Sequence, residues 1–84
     1  MSDQTGLAPV NPNTITEEKL LNWFSYHAPS AEDTAAYQTI RKAALDLARV
    51  IVRETPTGPD QTVAIRKLRE TVYSANAARA CGGK

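Results

Sequence analysis

The chain has too few of several residue types to build the common kinds of reactive site. Its 84 residues include one cysteine, Cys81, and one histidine, His27. A zinc site needs about four such ligands, and a hydrolase needs a nucleophile, a base and an orienting group. The sequence also lacks a phosphate loop of the Gly-x-x-x-x-Gly-Lys type. We therefore expect no enzymatic activity, no metal and no cofactor.

Long apolar runs are also missing. No segment approaches the roughly 20 apolar residues that span a bilayer, and the first thirty residues lack the basic start and apolar run of a signal peptide. A lone cysteine cannot form an internal disulfide, which fits a reducing compartment. We expect a soluble, cytoplasmic protein that does not enter a membrane.

The net charge is only +1, which is too small for a general nucleic-acid binder, so DNA binding is not expected. The charges are nevertheless sorted along the chain. Residues 1–34 hold one base against five acids, a net −4, and residues 35–84 hold nine bases against four acids, a net +5. A compact anion could meet a basic surface on this nearly neutral molecule.

Helix signals dominate the sequence, and no stretch suggests a strand. Residues 1–13 are rich in proline, glycine, asparagine and serine, and we predict a flexible arm there. A capping box of the Thr-x-x-Glu form, from Thr14 to Glu17, predicts a short helix that runs to about Ser25. Pro29 then stops that helix, because it disfavours helical conformation at the residue before it.

Two longer helices follow. Ser30 is predicted to cap a helix over residues 31–54, and a turn over residues 55–60 leads to a final helix from Gln61 to about Ala80, capped by Asp60. Apolar residues repeat at steps of three and four on the first of these helices at Tyr37, Ile40, Ala44, Leu47 and Ile51, and on the second at Ile65, Leu68, Val72 and Ala75.

These patterns predict an all-α fold, in which residues 14–84 form a single domain. A short helix precedes a long antiparallel helical hairpin. The first long helix is apolar on more than one side, which predicts more than one neighbour. A chain this short buries little surface alone, so we expect a homo-oligomer.

Residues 22–29 concentrate three of the five aromatic residues and the only histidine. Trp23 and Phe24 are predicted to pack in the core, because each has a large apolar area. Tyr26 lies at the frayed end of the short helix and is the better candidate to stack on a flat ligand. His27 has two open interpretations, a cap on the helix end or a contact with the ligand.

Basic residues on the long helices supply the other half of a candidate binding site. Arg41 and Lys42 are adjacent, and Arg69 belongs to a second cluster with Arg66 and Lys67. An arginine binds phosphate through two parallel hydrogen bonds, and an aromatic ring nearby suits a ligand that carries both phosphate and base. The row formed by Arg49 and Arg53 is interpreted as a solvated face.

Four short motifs follow one another along the chain. They are Tyr26-His27-x-Pro29, Tyr37-x-x-Ile40-Arg41-x-Ala43-Ala44-x-x-Leu47-Ala48, Ala64-x-x-x-Leu68-Arg69-x-x-Val72 and Ala75-Asn76-Ala77. This ordered set resembles the small phage anti-CBASS sponge proteins, which share a helical hairpin domain with one part of the anti-Thoeris sponges, and the resemblance covers about residues 17–81. The chain departs from the family pattern at Tyr73 and Arg79, where apolar residues are expected.

The resemblance implies a non-enzymatic protein that sequesters the cyclic nucleotides of a bacterial immune alarm. Such proteins form hexamers and hold cyclic dinucleotides, such as cyclic GMP-AMP, in pockets between the ends of two protomers. The stacking tyrosine of the family matches Tyr26, and its phosphate-binding residue matches Arg41. Some members bind cyclic trinucleotides at a separate site, for which Arg69 is the candidate.

A competing hypothesis is a helical oligomerisation or protein-binding module whose basic rows contact an acidic partner. A small DNA-binding protein is a third hypothesis, and it predicts salt-dependent binding to duplex DNA. The near-neutral charge and the absence of a turn-linked recognition helix argue against it.

Overall fold

The computed structural model describes residues 13–84, so the predicted arm lies outside the described residues except for Asn13. The described residues form three helices and no strand: α1 (Glu17–Trp23), α2 (Ala31–Glu54) and α3 (Pro59–Ala80). Helices α2 and α3 pack against each other as a hairpin. The prediction of an all-α hairpin preceded by a short helix is confirmed.

Helix α1 begins with a different cap from the predicted one. The cap is Thr16, whose side-chain oxygen accepts the backbone N–H of Lys19 at 3.2 Å. Thr14 takes no part in a capping box. Its carbonyl instead accepts a hydrogen bond from the Lys19 ammonium at 2.9 Å. The helix also ends at Trp23, with Phe24 as its C-cap, earlier than the predicted Ser25.

Helix α2 begins and ends where the sequence predicts. The Ser30 side chain accepts the Asp33 N–H at 3.0 Å, and the Asp33 carboxylate accepts the Ser30 N–H at the same distance, which completes a capping box. The second Asp33 oxygen accepts Arg79 Nε at 2.9 Å. Arg79, a departure from the family pattern, therefore ties the end of α3 to the start of α2.

The turn into α3 is closed by a glutamine rather than by an aspartate cap. Gln61 Nε2 donates to the carbonyl of Thr55 at 3.1 Å and to its hydroxyl at 3.2 Å. The N-cap of α3 is Gly58 and makes no side-chain hydrogen bond, so the prediction that Asp60 caps the helix is wrong. Pro59 suits the first helical position, because it has no N–H and therefore removes one of the unpaired donors at the start of α3.

Packing between α2 and α3 uses the apolar residues that repeat at steps of three and four on the two helices, with one exception. On α3 the four predicted positions are half-buried, whereas on α2 Leu47 is 49 % exposed and Ala48 lies half-buried instead. A helix in a two-helix layer has one long neighbour, so its other apolar residues remain in water. None of residues 13–84 is fully buried.

The prediction that Trp23 and Phe24 pack in the core is wrong for the single chain. Phe24 is 85 % exposed and Trp23 is 42 % exposed, so neither is a core residue of the single chain. Helix α1 has only 7 residues and joins the end of the hairpin instead of lying along it. Its aromatic side chains therefore have no apolar layer to enter within one protomer.

The capping box of α2 makes stability depend on pH in acid. The Ser30 N–H and the Arg79 guanidinium both favour the charged carboxylate, so the pKa of Asp33 is lowered. A group whose pKa is lower in the folded state stabilises the fold at pH values above its unfolded-state pKa. This stabilisation is lost as the pH falls from there through the folded-state pKa. We expect the Tm to fall below about pH 4, and Asp33→Asn to flatten that fall while lowering the Tm at neutral pH.

Thermal unfolding followed by circular dichroism between about pH 3 and 7 checks this expectation. Asp60→Asn is the matched control, because Asp60 also lies in the first turn of a helix but forms no ion pair within residues 13–84. Equal acid slopes for the parent and Asp33→Asn would contradict the assignment.

Candidate functional site

The junction between α1 and α2 presents Tyr26 to solvent. Its side chain is 87 % exposed, and no hydrogen bond from it is seen within residues 13–84. Its neighbours are both bonded to α1: the Ser25 hydroxyl donates to the Leu21 carbonyl, and His27 Nε2 donates to the Asn22 carbonyl at 2.7 Å. His27 therefore caps the end of α1, one of the two interpretations that the sequence left open.

Asn22 joins this junction to the end of α3. Its side-chain Nδ2 donates to the Cys81 carbonyl at 3.1 Å, and the Cys81 thiol approaches the Asn22 carbonyl at 3.9 Å. The chain thereby places Tyr26 at the open end of the hairpin, where α2 begins and α3 ends.

A groove of about 310 Å³ between α2 and α3 brings two of the predicted basic residues together. Its floor is apolar, and Arg41 from α2 and Arg69 from α3 both line it. The complete lining is Arg41, Ala44, Leu45, Ala48, Ile65, Leu68, Arg69, Val72 and Tyr73. We call this feature the arginine groove.

Tyr73 is a member of the arginine groove that sequence reasoning did not assign to a site. Arg69 Nη2 donates to its hydroxyl at 3.0 Å, and the guanidinium carbon lies 6.0 Å from the centre of the ring. The i, i+4 spacing of the two residues on α3 was the available signal. An arginine and an aromatic ring thus lie side by side on the groove.

Lys42 lies apart from the arginine groove although it follows Arg41 in sequence. Successive helix residues point about 100° apart, and Lys42 lines a separate shallow surface on α2. Its ammonium donates to Asp46 at 2.7 Å, and this hydrogen bond lowers the pKa of Asp46. Lys42 is therefore paired with a carboxylate within its own helix.

Tyr26 and Arg41 lie apart within one chain. Tyr26 precedes α2, and Arg41 is ten positions past its first residue, about 15 Å along the axis at the usual rise. Tyr26 does not line the arginine groove. The chain brings Arg41 together with Arg69 and Tyr73, and it keeps Tyr26 and His27 at the hairpin end.

Within residues 13–84, no three histidine, cysteine or acidic side chains are grouped so that they could hold a metal ion. The same part of the chain contains no helix long and apolar enough to cross a membrane.

Comparison with known proteins places the chain in a family. The sequence model of the family described as Acb2/Tad1, hairpin domain, matches residues 16–80, which covers all three helices. No curated protein and no solved structure matches the chain. Because the matched range spans most of the 84 residues, the resemblance seen in the sequence is confirmed. This chain belongs to the Acb2/Tad1 hairpin-domain family.

Proposed function

We propose that this protein is a non-enzymatic sponge that binds cyclic dinucleotides, such as cyclic GMP-AMP, and so keeps bacterial CBASS effectors inactive. It acts as a homo-oligomer in the cytoplasm of the infected bacterium. The observation that carries the proposal is the exposed ring of Tyr26 at the hairpin end of a chain that belongs to this family.

Tyr26 is the proposed base contact. A ring that is 87 % exposed offers both faces to a ligand, and aromatic side chains stack on any nucleobase because every base has a π-face. The hydroxyl is not committed to a partner within residues 13–84. Stacking therefore requires no rearrangement of a packed side chain.

Arg41 is the proposed phosphate contact. It is exposed, and no ion pair occupies its guanidinium within residues 13–84. By contrast, Lys42, Arg49 and Arg53 each have a carboxylate partner in their own helix. Since about 15 Å of helix separates the start of α2 from Arg41, the proposed pocket takes Tyr26 from one protomer and Arg41 from another.

The homo-oligomer is supported by apolar surface that the hairpin leaves uncovered. Exposed apolar residues lie on α1, where Leu21 is 61 % exposed, and on the two sides of α2 that flank its contact with α3. They include Leu21, Leu45, Leu47, Val50 and Val52, and Phe24 at the C-cap of α1 is exposed as well. In a monomer these side chains remain in contact with water. Association buries them, and each Å² of apolar surface removed from water contributes about 25 cal/mol of stabilising free energy. The resemblance favours a hexamer.

The arginine groove is the proposed second site, for a cyclic trinucleotide. Arg69 supplies positive charge on the α3 wall, and Tyr73 supplies a ring beside it. The hydrogen bond from Arg69 to Tyr73 orients the guanidinium at the groove.

Calorimetric titration of the full chain with cyclic GMP-AMP, with native mass spectrometry of the same sample, tests the proposal. We expect saturable binding with a fixed ratio of ligand to protomer and an assembly mass above that of the 9.1 kDa monomer. An oligomer that binds no cyclic di- or trinucleotide would favour a plain oligomerisation module. Salt-dependent binding to duplex DNA in a parallel titration would favour the third hypothesis.

A further inference from the structure

The segment that carries Tyr26 is held on both sides of that residue. The Ser25 hydroxyl donates to the Leu21 carbonyl, and the His27 ring donates through Nε2 to the Asn22 carbonyl at 2.7 Å. A carbonyl oxygen only accepts, so Nε2 carries a proton in this bond. The exposed ring of Tyr26 therefore projects from a backbone that is fixed before and after it.

Asn22 fixes the same segment to the long hairpin. Its side-chain Nδ2 donates at 3.1 Å to the carbonyl of Cys81, which lies 59 residues later in the chain and is the C-cap of α3. That carbonyl also accepts the Lys84 N–H at 3.3 Å. Because α3 packs on α2, the position of Tyr26 is set by the hairpin and not by the 7-residue α1 alone.

We infer that Asn22 and His27 are positioning residues, which hold the backbone of Tyr26 in its binding position before the ligand arrives. The inference rests on the proposed function, since it concerns the ring that stacks on a base. A segment without these bonds would have to become ordered on binding, and the entropy lost in ordering weakens affinity. His27 thus acts through the backbone around Tyr26 without contacting the nucleotide.

The test uses the full chain and compares the parent with His27→Ala, His27→Gln and Asn22→Ala. The alanine variants each remove one hydrogen-bond donor, whereas glutamine keeps an N–H donor in place of Nε2. NMR order parameters of the backbone N–H groups of residues 24–28, measured without ligand, report the order of the segment. Calorimetry with cyclic GMP-AMP then gives the Kd of each variant, and circular dichroism checks that each folds.

We expect lower order parameters at residues 24–28 in both alanine variants and a Kd about ten-fold weaker, the scale of the net contribution of one hydrogen bond. His27→Gln should recover part of both effects. Weaker binding by His27→Ala without lower order parameters would place the imidazole on the ligand and overturn the inference. Lower order parameters with an unchanged Kd would also overturn it, because order in the segment would then not matter for binding.

The same experiment separates this inference from the proposed function. A parent protein that binds no cyclic nucleotide ends the proposed function, and the positioning role ends with it. A parent that binds, together with alanine variants that match it in both order parameters and Kd, ends the positioning role alone.

Discussion

Tyr26→Ala is expected to weaken cyclic GMP-AMP binding by about 1–3 kcal/mol for each base that the ring contacts, or roughly five- to 150-fold for one base. The reason is that the exposed Tyr26 ring offers a stacking face to a base. Calorimetric titration of the purified variant measures the loss.

Two variants control for this loss. Tyr26→Phe keeps the aromatic face and removes only the hydroxyl, which has no partner within residues 13–84, so its Kd should remain near that of the parent. Tyr73→Ala removes a different exposed tyrosine, 59 % exposed, from the arginine groove. If Tyr73→Ala lost dinucleotide binding and Tyr26→Ala retained it, the dinucleotide would belong in the arginine groove.

Arg41→Ala is expected to weaken the same ligand by about 1.5–3 kcal/mol, since a hydrogen bond to a charged group contributes on that scale. A guanidinium that forks onto a phosphate supplies two such bonds with fixed geometry. The slope of affinity against salt concentration should also become shallower, because one fewer charge meets the phosphates. Titrations at two ionic strengths measure both effects.

Arg53→Ala is the matched control for Arg41→Ala. It removes the same side chain and the same charge from the same helix, but Arg53 pairs with Glu54 at 2.9 Å and lies outside the arginine groove. The affinity of Arg53→Ala for cyclic GMP-AMP should stay within about two-fold of the parent. The ion pair that the variant loses is exposed and contributes less than about 1 kcal/mol to stability, so the fold should not change. Equal losses in the two variants would indicate a general effect of net charge without a phosphate contact at Arg41.

Local signals in the sequence were sufficient for α2. Ser30 and Asp33 form a capping box from atoms only three residues apart, so neighbouring residues decide where the helix begins. Cues at the other two starts were ambiguous. Thr14 and Thr16 both suit an N-cap, and the structure uses Thr16; Pro59 begins α3 although Asp60 is the better capping side chain.

Burial was less predictable than helicity. The spacing of Leu47 and the size of Phe24 both indicated packing, yet both remain exposed in the single chain. An apolar pattern indicates that a helix face should be buried. It does not indicate whether another part of the same chain or a second protomer buries that face. The prediction that α2 needs more than one neighbour is consistent with this exposure.

By itself the sequence determined the three helices, the hairpin order and the family, because caps, prolines and apolar spacing act over a few residues. It also identified Tyr26 and Arg41 as candidate ligand contacts. Only the tertiary structure decided which groups from different helices meet: Arg41 with Arg69 and Tyr73 in one groove, and Asn22 with Cys81. These contacts depend on the angle at which helices pack and on hydrogen bonds between residues far apart in the chain, which no local pattern encodes.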